Sequence, residues 1–379
     1  MIPYSRQLIS YKDIKNVKNV LLSNFLTTGP EIKKFEKKIK FFCNSKYATV
    51  VSSASAGLHI ACIALGLKKN DIVWTSPITF VSTASAALHC GAKIDFVDID
   101  PKTFNLCVNS LKDKLIKAKK NRKLPKIVIP VHLAGNPCEM KLIKQLSIKY
   151  KFKVLEDASH AIGSKIGVNK IGNSRYSDAT VFSFHPVKII TTGEGGAILT
   201  NNSKIQIQLK RLREHGIERN IKTIKNKKKF PWYYEQQELG FNYRLSDIQA
   251  SLGSSQMSQI KRFLNERNRQ AKYYLKKLDL SKLGVQAVDS KNYSSYHLFI
   301  TLFPKNLRLK IFNELRKKKY YVNVHYIPVF YHPMFKRKFN LKQFPNAINY
   351  YERAISLPLY PGLKLQEIDK VIKIINKFI

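Results

Sequence analysis

Short apolar runs alternate with helical patterns through the first two hundred residues, and each run halts at small or polar side chains. Tyr47 to Val51 reads as a strand, Ser55 to Leu65 as a helix rich in small residues, Asp71 to Thr75 as a strand, Val81 to His89 as a helix and Lys93 to Val97 as a strand. Ile127 to Val131, Lys153 to Glu156 and Thr180 to Phe184 read as further strands. Such alternation predicts an α/β fold, a mostly parallel, doubly wound sheet covered on both faces. Ligands of these sheets sit beyond the carboxyl ends of the strands. Ser52 to Ser55, Phe80, His132, Asp157 and Lys188 all fall at or just past predicted strand ends, so reactive side chains converge on one edge.

Two of those ends carry the chemistry. Val154-Leu155-Glu156-Asp157 stops at an aspartate, and Val181-Phe182-Ser183-Phe184-His185-Pro186-Val187-Lys188 places a lysine just past a strand, followed by Gly193-Glu194-Gly195-Gly196. Taken singly each is ordinary: Lys is abundant here, and an Asp after a strand is often only a helix N-cap. The ordered set suits a pyridoxal phosphate enzyme, in which a Lys forms a Schiff base with the cofactor aldehyde and an Asp pairs with the pyridinium nitrogen. The glycine segment lacks the spacing and trailing Lys-Ser/Thr of a P-loop and reads as a turn.

At 379 residues the chain is long enough for a large domain and a smaller one, divided near residue 255 into 1–255 and 256–379. Ser10-Tyr11-Lys12-Asp13 opens a capped helix, and a second amphipathic helix runs from about Glu31 to Phe42. A helix ends at Gly216, and a long amphipathic helix spans roughly Ser246 to Leu278. The last hundred residues mix strands (Tyr296 to Leu302, Tyr320 to Val324) with helices (Asn306 to Lys318, Gln366 to Phe378), a smaller α+β unit. No apolar run is long enough to span a bilayer and no signal peptide is visible, so a cytoplasmic location is expected. The five cysteines show no C-x-x-C spacing, so neither a metal site nor a disulfide framework is expected.

Charge is the outlier: 67 basic against 25 acidic residues, a formal net charge of +42. Basic runs stand at Lys222 to Lys229 and Arg316 to Lys319. Such a charge raises nucleic-acid or membrane binding as a different class of function. The lysines, however, are spread along the whole chain among many Ile and Asn, a pattern that AT-rich coding also produces. No helix-turn-helix, zinc-finger or RNA-binding motif is present, so the basic surface reads as solvated, with nucleic acid the unfavoured alternative. Such a surface would also steer an anionic nucleotide-sugar.

Several segments together resemble the DegT/DnrJ/EryC1/StrS sugar aminotransferases, which have the aspartate aminotransferase-like fold type I of PLP-dependent transferases: a large domain with a mostly parallel sheet and a smaller C-terminal domain. The matching pieces are Ile2-Pro3-Tyr4-Ser5-Arg6-Gln7, Leu26-Thr27-Thr28-Gly29-Pro30, Glu156-Asp157-Ala158-Ser159-His160, Ser183-Phe184-His185-Pro186-Val187-Lys188, Phe241-Asn242-Tyr243-Arg244-Leu245 and Val324-His325-Tyr326. The N-terminal segment and His-Pro-Val-Lys are most similar to the transaminases of pseudaminic acid biosynthesis, which act on UDP-4-keto-6-deoxy-N-acetyl-β-L-altrosamine.

The resemblance implies roles. Lys188 would be the Schiff-base lysine and proton carrier, and Asp157 the partner of the ring nitrogen. Phe80 would stack on the ring, although a core aromatic before a helix is an equal reading. Ala54 and Ser55 would open a phosphate cup at a helix N-terminus, with Ser183 adding a hydroxyl. His160, where many members carry Gln, would contact the phenolic oxygen. Asn242 would reach the phosphate of a neighbouring subunit, which implies a homodimer with shared sites. Tyr4, Asn24, Phe25, Leu26, Thr27, His185, His325 and Tyr326 would meet the nucleotide-sugar, with L-glutamate as amino donor. Related dehydratases carry a His in place of the lysine, so Lys188 favours transamination. Another nucleotide-sugar aminotransferase, differing in stereochemistry or keto position, is the same-fold alternative.

Overall fold

The computed structural model describes residues 1–220, 223–224, 230–336 and 338–379. Most of the basic run from Lys222 to Lys229 thus lies outside the described residues. The chain opens with a two-residue strand, β1 (Ile2–Pro3), and two helices, α1 (Tyr11–Leu21) and α2 (Pro30–Cys43). The Ser10 cap forms as the sequence predicts: Ser10 and Asp13 close a reciprocal capping box. Then come β2 (Tyr47–Val51), α3 (Ala54–Ala64), β3 (Ile72–Thr75), α4 (Val81–His89), β4 (Lys93–Phe96), α5 (Val108–Lys120), β5 (Ile127–Ile129), α6 (Met140–Tyr150) and β6 (Lys153–Asp157). A hairpin, β7 (Lys165–Ile166) and β8 (Asn169–Lys170), precedes β9 (Ala179–Ser183), β10 (Gly196–Thr200), α7 (Ser203–Arg213) and a short pair, β11 (Ile217–Glu218) and β12 (Glu235–Gln236). The long helix α8 (Asp247–Lys277) leads into β13 (Gly284–Val285), β14 (Asn292–Tyr293), β15 (Phe299–Leu302), α9 (Lys305–Lys317), β16 (Tyr320–Tyr321), α10 (Pro345–Arg353), β17 (Ala354–Leu357) and α11 (Leu365–Ile375).

Seven strands form the central sheet in the order β2-β10-β9-β6-β5-β3-β4. All run parallel except β10, which is antiparallel to both β9 and β2. The sheet is mixed α/β, as expected, but the reversed strand was not foreseen: Gly195-Gly196 reads as turn, and Ala197-Ile198-Leu199 is too short to show a period. Alternate residues of one strand feed opposite faces. Ile127 and Ile129 join Leu58, Leu209 and Val181 in one core, whereas Val128 joins Leu111, Ile143 and Val154 in another. The reading of Tyr296 to Leu302 shortens to β15, and Tyr320 to Val324 shortens to β16, because Val324 belongs to the loop that reaches the site.

α8 runs unbroken through residue 255. Its first half sends Met257, Ile260, Phe263 and Leu264 into the core beside Phe35 and Phe184, and its second half sends Ala271 and Tyr274 into the core of the C-terminal unit. A division at 255 therefore falls inside a helix. The N-terminal strand crosses between these bodies: β1 pairs in parallel with β16, Ile2 opposite Tyr320. Among the described residues no helix is long and apolar enough to cross a membrane.

Candidate active site

The carboxyl ends of β2, β3, β6 and β9 open on one cavity of about 560 Å³. At the end of β6, Asp157 is buried and held by hydroxyls: Ser159 Oγ donates to Oδ1 (2.6 Å) and Thr83 Oγ1 to Oδ2 (2.6 Å). Ser159 also gives its backbone N–H to Oδ1 (3.1 Å), and Thr79 Oγ1 lies 2.7 Å from Thr83 Oγ1. Hydrogen bonds of this kind fix a carboxylate's orientation.

After β9, Ile189 and Ile190 bury themselves beside Phe35 and Phe184, which leaves Lys188 on the cavity wall. Ser5 Oγ donates to Val187 O (3.0 Å), and Thr191 Oγ1 to Phe184 O (3.0 Å), so the loop is tied at both ends. Desolvation pushes the Lys188 amine down to about 8; the charge of Asp157 opposes that shift and the charge of Arg267 adds to it. At pH 7 about a tenth of such an amine is free base, far more than for an ordinary lysine.

Across the cavity α3 begins at the N-cap Ser53, whose side chain accepts from Ala56 N–H. Ala54 and Ser55 are the first residues of that helix, where N–H groups lack intrahelical acceptors and the dipole favours an anion. The approach of β10 requires Gly196, because a Cβ there would lie 2.7 Å from Ala54 N. Ser183, at the end of β9, lines the same cavity. Phe80, the N-cap of α4, presents its ring there with 57% of its surface exposed.

The opposite wall is aromatic. Ala134 N–H donates to His160 Nδ1 (3.2 Å), so the proton of the neutral ring sits on Nε2, which faces the Tyr326 hydroxyl at 3.1 Å. Burial, then the charge of Lys188, then His325 hold His160 well below the usual imidazole range. Burial and Lys188 push His325 down to about 3, and its Nδ1 meets Ser356 Oγ at 2.8 Å. Tyr4 packs its ring 4.7 Å from His325.

Eleven of the residues singled out from sequence thus share this cavity: Tyr4, Ala54, Ser55, Phe80, Asp157, His160, Ser183, His185, Lys188, His325 and Tyr326. Asn24, Phe25, Leu26, Thr27 and Asn242 do not line it. Leu26 O accepts from Asp247 N–H (2.9 Å), Phe25 borders a separate surface groove, and exposed Asn242 bridges to Glu214. His132 is also elsewhere: it is buried, accepts Cys138 N–H at Nδ1 (3.0 Å) and sets Nε2 2.7 Å from Glu156. Sequence reasoning missed Thr83, Ser159 as a holder of Asp157, and His297, whose ring lies 4.4 Å from that of His160. The spacing of Thr79 and Thr83, one helical turn apart, was the available signal.

An amine of lowered basicity, a fixed carboxylate, a helix N-terminus and an open aromatic face form a donor set that fits a phosphorylated aldehyde with a flat ring. The profile of the DegT/DnrJ/EryC1/StrS aminotransferase family matches residues 7–376. The chain belongs to that family. It is 36% identical to the UDP-4-amino-4,6-dideoxy-N-acetyl-β-L-altrosamine transaminase of Campylobacter jejuni, over 97% of this chain and 94% of that one. Its fold matches a Helicobacter pylori aminotransferase involved in the biosynthesis of pseudoaminic acid (TM-score 0.89, 30% identity, 100% and 99% of the two chains). It also matches a Streptococcus pneumoniae protein solved in its PLP form (TM-score 0.89, 26% identity, 100% and 99% of the chains). The fold is that of the PLP-dependent aminotransferases, and the cofactor of this DegT/DnrJ/EryC1/StrS aminotransferase is pyridoxal 5′-phosphate.

Proposed function

We propose that the protein is a cytoplasmic sugar aminotransferase that moves an amino group from L-glutamate to the C4 keto group of UDP-4-keto-6-deoxy-N-acetyl-β-L-altrosamine, a step toward pseudaminic acid. The observation that carries the chemistry is Lys188 on the cavity wall with its amine lowered to about 8. The sugar is supported by the names of the Campylobacter and Helicobacter relatives.

When bound, the cofactor supplies a ring that withdraws electrons from the donor's α-carbon. The Lys188 amine would hold its aldehyde and, once freed, take and return the α-proton at Nζ. Asp157, oriented by Thr83 and Ser159, would keep the ring nitrogen protonated. Ala54, Ser55 and Ser183 would hold the phosphate, Phe80 the ring face, and His160 would offer Nε2–H to the phenolic oxygen. Tyr4, His185, His325 and Tyr326 would meet the sugar nucleotide. Asn242 and residues 24–27 lie outside their own cavity, which supports a homodimer in which they complete the partner's site.

The test is the visible spectrum with pyridoxal phosphate, before and after L-glutamate, followed by turnover of the L-altro and D-xylo 4-keto sugars. Conversion of the bound cofactor and preference for the L-altro sugar are expected; equal use of both would refute the sugar assignment. Lys188→Ala should abolish turnover and leave the circular dichroism spectrum unchanged, and an active variant would refute the lysine's role.

A further inference from the structure

Arg267, in the middle of α8, is 0% exposed. Its partners are not carboxylates. Nη1 donates to His297 O (3.0 Å), Leu359 O (3.0 Å) and Tyr296 O (3.4 Å), and Nη2 to Ser5 Oγ (3.3 Å). Its Nε–H has no partner among the described residues. Burial lowers this guanidinium to about 9, so it carries its charge at neutral pH. Carbonyl dipoles solvate that charge without cancelling it, so its field extends into the low-dielectric surroundings.

The bonds lead toward the lysine. Ser5, which accepts from Arg267, donates through the same Oγ to Val187 O (3.0 Å), the carbonyl before Lys188. On the other side Arg267 holds the main chain of His297, whose ring lies 4.4 Å from that of His160. Three stretches far apart in sequence therefore meet at one cation, the N-terminal arm, the segment before β15 and the turn after β17, and the lysine loop joins them through Ser5.

We propose that Arg267 is a positioning residue of the active site, which fixes the Lys188 loop through Ser5 and Val187 and sets an uncancelled positive charge behind the lysine. Its charge acts in the same sense as the desolvation of Lys188, and Asp157 acts in the opposite sense. The other titratable groups around the amine are the rings of His160, His297 and His325, all held neutral by burial, together with Tyr4 and Tyr326. His185 and Glu194 of the lysine's own loop complete them. Among the described residues Arg267 is a fully buried cation whose charge disfavours the ammonium form of Lys188.

The inference rests on Lys188 acting through its amine, so its test reads that amine in the cofactor-free protein. Competitive acetylation across pH, resolved by peptide mass spectrometry, gives the Lys188 midpoint. Arg267→Gln keeps two N–H donors for the carbonyls and removes the charge. The midpoint should rise, because a positive charge that disfavours the ammonium form is removed. A midpoint that stays at the wild-type value in the folded variant would overturn the electrostatic role. Ser5→Ala keeps the charge and cuts the relay: the midpoint should stay, and amide exchange at Val187 to Ile190 should speed up at least about tenfold, the loss of roughly one hydrogen bond. Unchanged exchange would overturn the positioning role, an outcome that does not depend on whether Arg267→Gln folds. Failure of the aminotransferase reading itself would appear instead as activity in Lys188→Ala.

Discussion

A lysine lowered to about 8 makes a definite pH prediction. Only the free amine attacks an aldehyde, and the protonated form dominates below the midpoint. The rate at which the cofactor-free protein takes up pyridoxal phosphate should rise about tenfold per pH unit up to about 8 and level off above it, as stopped-flow absorbance would record. The imidazoles of His160, His297 and His325 should add no break above pH 6, because burial holds them neutral there. Thr83→Val removes one of two hydroxyl donors to Asp157. A lost bond to a buried carboxylate costs about 1.5–3 kcal/mol, so the rate of the glutamate half-reaction should fall by about tenfold or more. Lys188 and Asp157 could be read from sequence because Asp157 ends an apolar strand and Lys188 follows one, each within a distinctive motif. Arg267 could not: it stands in Glu266-Arg267-Asn268-Arg269, where its neighbour Arg269 faces solvent. Its helical phase with Ile260, Phe263, Leu264 and Ala271 was the only sign that it points inward.

At the level of elements, the site depends on how closely β10 can lie against the start of α3. Gly196→Ala would press a methyl onto the Ala54 backbone, and backbone cannot step aside as a side chain can. The variant should bind pyridoxal phosphate at least about tenfold more weakly and lose about 1–3 kcal/mol of stability, as fluorescence titration and denaturant unfolding would measure. The parallel strands and the helices between them were recognisable because local patterns determine them. The reversed strand was not, since its direction comes from pairing with β9 and β2 rather than from its own five residues. The same holds for β16, where tertiary pairing ends the strand after two residues although the apolar pattern continues.

For the whole molecule, the separation of Asn242 and residues 24–27 from the Lys188 cavity yields a complementation test. If sites are shared in a symmetric dimer, Lys188→Ala and Asn242→Ala subunits should each have low activity alone. Their mixture, after exchange, should regain about a quarter of wild-type activity, because half of the dimers carry one intact site of two. No recovery, measured on a mixture shown by native mass spectrometry to contain hybrids, would mean that each subunit completes its own site. No pattern of residues marks this division; the resemblance to the family implies a partner-subunit role for Asn242 alone, whereas residues 24–27 are expected at the nucleotide-sugar without one.

The pairing of β1 with β16 has a consequence for how the chain is made. Ile2 and Tyr320 are more than three hundred residues apart, and Ser5 also needs Arg267 and the lysine loop. At typical rates of synthesis the opening residues therefore wait about 15–60 s before their partner strand exists. The arm that ties down the lysine is thus made long before its partners and is among the last segments to find its place.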